Sequence, residues 1–210
     1  MARTGVDAAK TFLTDLPKLH FWGGEERVGG LNDRIGHRLI TELEQLDSPS
    51  ILETGAGATT LLLLQLEPGG LTTIAPDAAL QERIMAEADR QGIPTGPLRF
   101  ICERSEIALP PLAEAGHRLD AALIDGNHGW PSVFVDFCYI NRMLGKGGLL
   151  FVDDVHLYSV AQLHLLLRQQ EDFELVSIDS KLATFRKVSN RPFLPDWRAE
   201  PFVFMNSVVL

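Results

Sequence analysis

From Pro49 onward, short apolar runs alternate with longer stretches in which apolar residues recur every three or four positions. The short runs Ser50–Thr54, Leu71–Ala75, Leu98–Cys102, Leu119–Ile124 and Gly148–Val152 read as strands. Thr59–Leu66, Ala78–Gln91, a short segment after Ser105, Ser132–Leu144 and Val160–Gln169 read as helices. Such alternation predicts βαβ units, and so a parallel sheet with helices on both faces. The last two strands, Phe173–Ile178 and Lys181–Val188, are separated only by Asp179-Ser180. That is too little chain for a crossover helix, so this pair is expected to form an antiparallel hairpin. The predicted fold class is α/β: a mostly parallel seven-stranded sheet closed by a C-terminal antiparallel hairpin.

The two ends are less regular. Residues 1–31 form a lead-in, with a short helix around Ala8–Leu16 and then a loop holding His20, Trp22 and the pairs Gly23-Gly24 and Gly29-Gly30. Asn32 is placed as a helix N-cap, ahead of Ile35, Leu39, Ile40, Leu43 and Leu46 at helical spacing. The main domain is expected over residues 32–188. Beyond it, the tail 189–210 carries Pro192, Pro195 and Pro201 among Phe193, Trp197, Phe202 and Phe204. Its prolines disfavour helix, and its aromatics imply a packing partner, with a homodimer contact as one candidate.

Composition narrows the class. With 210 residues, 45% hydrophobic and 22% charged, the chain has the length and apolar content of one globular domain. Cys102 and Cys138 lie far apart and suggest neither a disulfide framework nor a thiolate zinc site. The first residues lack the apolar stretch of a signal peptide, and the most apolar segment, Leu61–Leu66, is too short to span a bilayer. A cytoplasmic protein without a membrane partner is expected. A formal charge of −9, with no run of lysines or arginines, argues against nucleic acid as a partner.

The sharpest local signal is Ile51-Leu-Glu-Thr-Gly55-Ala-Gly57-Ala-Thr-Thr60, where a strand passes through glycines into a helix. Such a turn lets backbone approach a ligand closely and offers free N–H donors at the helix start. The third glycine of a dinucleotide fingerprint, expected near Thr60, is missing, although Asp77 stands at a ribose-binding distance downstream. Charge decides between ligands. In open α/β sheets the ligand lies at the carboxyl ends of the strands, where the fourth and fifth strands carry Asp125, Asp153 and Asp154. Three carboxylates would repel a pyrophosphate but suit a cationic sulfonium or a divalent metal.

The segment Glu53-Thr-Gly55-Ala-Gly57-Ala-Thr-Thr60 resembles the first cofactor motif of the class I methyltransferases that use S-adenosylmethionine (SAM). Leu123-Ile-Asp125-Gly-Asn-His128 and Gly145-Lys-Gly-Gly148-Leu-Leu-Phe-Val-Asp153-Asp154 are similar to the fourth- and fifth-strand motifs of a bacterial subgroup related to catechol-type and antibiotic-tailoring O-methyltransferases. The resemblance covers about residues 35–187. It implies a Rossmann-like methyltransferase fold and methyl transfer from SAM to a hydroxyl of a small-molecule acceptor. It also implies roles: Glu53, Gly55 and Gly57 line the methionine part of SAM, with Ala56 and Thr59 in the same loop. Ser105 and Glu106 lie beside adenine, and Asp125 below the sulfonium. The family's ribose-gripping acid at the end of the second strand is replaced here by Ala75. Asp77, two residues on, either takes that role or caps the helix that begins at Ala78.

Methylating a hydroxyl requires removing its proton, which a metal or a nearby base can assist. Asp125, Asp153 and Asp154 are hard oxygen ligands suited to Mg2+ or another hard divalent cation, and related metal-dependent enzymes hold a metal at the matching positions. The alternative for Asp153-Asp154 is loop capping beyond the strand. Consecutive strand residues point to opposite faces, so both carboxylates converge only if the chain turns at once. His128 is the candidate general base, or else a histidine that ties down its loop. His156 is a weaker candidate, Trp130 is expected to wall the pocket, and His20 and Trp22 form either a lid over the acceptor or a surface loop. Two other classes stay open: a nicotinamide-dependent oxidoreductase, and a non-catalytic Rossmann-like binding or assembly module, toward which Ala75 and the aromatic tail lean.

Overall fold

The computed structural model describes residues 4–22, 24–191 and 196–208. Gly23, Pro192, Phe193 and Pro195, and the side chain of Trp22, lie outside the described residues. The chain opens with α1 (Thr4–Phe12), a two-stranded antiparallel ribbon of β1 (His20–Trp22) and β2 (Glu25–Arg27), and α2 (Asp33–Leu43). Asn32 caps α2 as expected, its side chain accepting the Ile35 N–H at 3.0 Å. There follow β3 (Ser50–Thr54), α3 (Ala58–Gln65), β4 (Gly70–Ile74), α4 (Ala78–Gln91), β5 (Leu98–Ile101) and α5 (Ser105–Glu114). The chain continues through β6 (Leu119–Ile124), α6 (Ser132–Met143), β7 (Leu144–Val152), α7 (Tyr158–Gln169), β8 (Phe173–Asp179) and β9 (Leu182–Lys187), and ends in α8 (Pro201–Asn206).

The seven strands from β3 to β9 form one sheet in the order β5-β4-β3-β6-β7-β9-β8. All pairings from β5 to β7 are parallel, and β9 pairs antiparallel with both β7 and β8. This is the predicted α/β Rossmann-like methyltransferase fold. Its alternating side chains feed two cores. Ala121, Leu123, Leu149 and Phe151 pack with α1 to α4, while Ala122, Ile124, Leu150 and Val152 pack with α5 to α7. Strands covered on both faces need apolar residues at every position, which is why β6 and β7 read as continuous apolar runs. Edge strand β8 instead alternates between buried and more exposed positions. β3 lies between β4 and β6, where the chain reverses its direction of travel across the sheet. The carboxyl ends of β3 and β6 therefore flank a topological switch point, the usual ligand crevice of such sheets.

Three expectations need correction. α1 begins at Thr4 and ends at Phe12, short of the predicted Leu16, and Pro17 bars its extension. Residues 20–27, expected as a loop, form the β1–β2 ribbon, whose three-residue strands are too brief to leave a periodic signal. The tail, expected to avoid helix, forms α8, because Pro201 stands in its first turn, where a missing N–H costs nothing. Part of the tail docks: Asn206 donates to Gln169 on α7 at 2.8 Å, yet Trp197 remains 65% exposed. Among the described residues, no helix is long and apolar enough to cross a membrane.

Candidate active site

At the carboxyl ends of β3, β4 and β6 lies a cavity of about 620 Å³. Its floor is the turn after β3. Gly55 sits there at φ +90°, and a Cβ on it would lie 2.2 Å from the Asp125 carbonyl oxygen, so only glycine lets the β3 and β6 loops meet. A Cβ on Gly57 would fall 2.6 Å from His20 Nε2, so the N-terminal ribbon reaches onto the glycine loop through His20. Gly55, Ala56 and His20 line the cavity. Gly57 and Thr59 are not on its wall; Thr59 is buried in the first turn of α3.

Glu53 also stays off the wall. It is 1% exposed and its Oε2 accepts hydrogen bonds from Thr60 at 2.7 Å and Thr73 at 3.0 Å. Thr60 in turn accepts the Gly57 N–H at 3.1 Å. Glu53 therefore buttresses the glycine loop from beneath, and burial pushes its pKa up to about 8.

On the β4 side, Ala75, Pro76 and Asp77 form the wall. Asp77 Oδ1 accepts the Leu80 N–H at 2.9 Å and caps α4, while Oδ2 lies 3.5 Å from Arg83. Ser105 and Glu106, in the first turn of α5, complete this end. Glu106 pairs with Arg104; its own backbone N–H, and then Arg104, hold its carboxyl below the ordinary range.

The opposite end holds the acids. Asp154 has a left-handed backbone, φ +57°, so the chain does turn at once after β7 and both adjacent carboxylates face the same point. That point is the ammonium of Lys181, whose Nζ lies 2.9 Å from Asp153 Oδ2 and 2.7 Å from Asp154 Oδ1. Asp125 and Asp154 line the cavity, whereas Asp153 is buried behind it. The expected ring of three carboxylates is thus two facing acids, with the third turned inward onto a lysine. Asp125 is raised well above the ordinary carboxyl range, first by burial and then by the charge of Asp153. It sits within hydrogen-bond reach of Asp153, whose Oδ1 is buried and free to accept the retained proton.

His128 lines the same wall, with Nδ1 3.1 Å from Asp154 Oδ2 and Nε2 3.7 Å from Asp125 Oδ1. A carboxylate only accepts, so neutral His128 carries its proton on Nδ1 and leaves Nε2 as an acceptor. Nε2 is buried without a hydrogen-bond partner. Burial lowers the His128 pKa, outweighing the opposing pull of Asp154. The loop is fixed by Ser159, which donates to the His128 carbonyl.

Trp130, expected on the wall, is 75% exposed and stacks edge-to-face on Phe134. His156 is exposed, with Nδ1 3.7 Å from Asp154. Sequence reasoning missed Lys181 and Arg104. The sequence marks only the hairpin tip on which Lys181 sits, just before β9, and not its pairing with the acids.

The acids do not fit a divalent metal. A hard cation needs about six oxygens at roughly 2.0–2.6 Å, but one oxygen of Asp153 and one of Asp154 already hold Lys181, and the other Asp154 oxygen holds His128. Among the described residues, no group of three or more acidic, histidine or cysteine side chains is arranged to hold a metal ion.

Residues 52–155, just under half of the chain, match the family model described as Methyltransferase domain. No curated protein matches the chain in sequence. Solved structures share its fold at low identity. The O-methyltransferase TomG from Streptomyces achromogenes, solved in complex with SAM, is 18% identical with a TM-score of 0.68, over 90% of this chain and 92% of that one. A methyltransferase from Geobacter sulfurreducens is 13% identical with a TM-score of 0.62, covering 90% and 91%. An rRNA methylase from Streptococcus thermophilus is 18% identical with a TM-score of 0.56, covering 74% and 97%.

Proposed function

We propose that this methyltransferase takes its methyl group from SAM and delivers it to a hydroxyl of a small molecule. One arrangement carries the reading: His128, on the wall of a cavity floored by the glycine turn, is oriented through Nδ1 by Asp154 and keeps a buried Nε2 without a hydrogen-bond partner. That is the geometry of a general base held in one tautomer by a carboxylate. The fold shared with TomG, an O-methyltransferase solved with SAM, supports the cofactor and the reaction type. The residues suit SAM. The cavity volume lies within the usual range for small-molecule sites, and Asp125 offers a carboxyl that a cationic guest would ionise.

Bound SAM would supply an electrophilic methyl on a sulfonium sulfur, which keeps the bonding electron pair as the methyl departs. The chain's residues do the rest. Nε2 of His128 accepts the acceptor's hydroxyl proton as its oxygen attacks, and Asp154 stabilises the imidazolium that results. Asp125, beside the turn after β3, would offset the positive charge of the sulfonium. The Gly55 turn would hold the methionine part, and Ser105 and Glu106 would hold the adenine. His20, resting on Gly57, makes the N-terminal ribbon a cover for the site. The rRNA methylase shares the fold, but the formal charge of −9 and the acids on the wall favour an uncharged or cationic acceptor over RNA. Exposed Trp197, Phe204 and Met205 support a contact of the tail with a second copy.

Titration calorimetry tests the reading. SAM and S-adenosylhomocysteine should bind at micromolar levels and NAD should not. His128→Ala should keep that binding and lose about 10²–10⁴-fold in turnover. Absence of SAM binding, or binding of NAD instead, would refute the proposal.

A further inference from the structure

Lys181 occupies the position that the acid motif would give to a metal. It projects from the two-residue tip between β8 and β9, which is anchored from outside the site: Asp179, at the base of the tip, accepts hydrogen bonds from Arg38 at 2.5 Å and Arg34 at 3.3 Å on α2. The Lys181 carbonyl also accepts the Val155 N–H at 3.0 Å, tying the tip to the turn that follows Asp154. Gly30 roofs the cluster. A Cβ there would lie 2.9 Å from Lys181 Nζ and 3.3 Å from Asp153 Oδ2, so the Gly30 backbone lies directly over the ammonium. Burial alone would lower the lysine's pKa, but the hydrogen bonds to Asp154 and Asp153 outweigh it and the ammonium stays charged.

We infer that Lys181 is the resident cation of this site: its ammonium takes the place of a divalent ion between Asp153 and Asp154, and thereby holds Asp154 against His128. The inference deepens the proposed function and rests on it for the role of His128. Lys181 does not line the cavity, so it is a positioning residue. One charge does two things. It balances a pair of adjacent carboxylates that would otherwise repel each other, and it pins Asp154 Oδ1 so that Oδ2 is left for His128 Nδ1. A fixed lysine cannot lower an acceptor's pKa by direct coordination, so deprotonation falls to His128.

The test uses Mn2+, followed by electron paramagnetic resonance, on the full chain. Wild type should bind no Mn2+ at the cluster, Lys181→Met should bind one ion, and adding Asp153→Asn should abolish it. Wild-type binding of an ion that Asp153→Asn removes would overturn the inference, as would a folded Lys181→Met that binds none. The wild-type titration needs no variant, so misfolding of Lys181→Met does not shield the idea. The positioning role is read by imidazole ¹⁵N NMR: His128 should be the Nδ1–H tautomer in wild type and Lys181→Arg, and a mixture of tautomers in Lys181→Met. An unchanged tautomer in Lys181→Met would refute it. None of these measurements uses SAM, so failure of SAM binding would sink the proposed function and leave the cation result standing.

Discussion

Glu53 makes the stability of this protein depend on pH in a way that one substitution should remove. The carboxyl is fully buried under the glycine turn, and its pKa rises from an ordinary 4.5 to about 8. Between those values the folded chain keeps a proton that the unfolded chain has released, so stability falls as pH rises through the window and the loss is complete above pH 8. At about 1.36 kcal/mol per pH unit, the span from 4.5 to 8 amounts to roughly 5 kcal/mol, of which about 3 kcal/mol is lost by pH 7. Glu53→Gln keeps an oxygen to accept from Thr60 and Thr73 and removes the ionisation. Urea unfolding at a series of pH values from 5 to 8 should show wild type losing about 3–4 kcal/mol more than Glu53→Gln. Asp136 is also raised by burial but titrates alike in both proteins, whereas Asp125 is raised in part by the charge of Glu53, so the difference between the two curves reports Glu53 together with its effect on Asp125. Parallel curves would mean that Glu53 is not held protonated by its burial.

Other outcomes follow from the same geometry. Gly55→Ala should destabilise the chain by about 1–3 kcal/mol through backbone strain and weaken SAM binding, because its Cβ meets the Asp125 carbonyl; normal binding in calorimetry would show that the loops have room. Asp154→Asn should cut turnover by about 10²-fold or more with SAM affinity unchanged, and an unaffected rate would detach His128 from Asp154. Since burial holds His128 below its ordinary pKa, turnover should fall as pH drops through the region below 6.5 and be level at neutrality; a rate limb above pH 7 would contradict this. Asn32→Ala should cost about 1 kcal/mol in a thermal melt through loss of the α2 cap.

The sheet was legible because its signal is collective: β3, α4 and β6 begin and end where the apolar pattern said. The short ribbon was not, since three residues a side give no measurable period, and its exposed β2 carries only Glu25, Glu26 and Arg27. The Gly55 turn, Asp125 and His128 could be placed at the strand ends because parallel topology delivers every such end to one edge. Which acids face the crevice was not readable. Whether Asp153 points in or under depends on the left-handed turn at Asp154, a conformation that aspartate tolerates but does not announce as glycine would. Lys181 was hidden for a related reason: its partners are 28 and 27 positions away, and only the insertion of β9 beside β7 brings them together.

His20 resting on Gly57 has a practical consequence for anyone dissecting this chain. A fragment cut at residue 32, or to the 52–155 stretch, would discard an imidazole that seals one flank of the glycine turn. Such a fragment would retain the recognisable motif while leaving its ligand crevice open to water on that side. The working unit of this protein begins upstream of the part by which it is recognised.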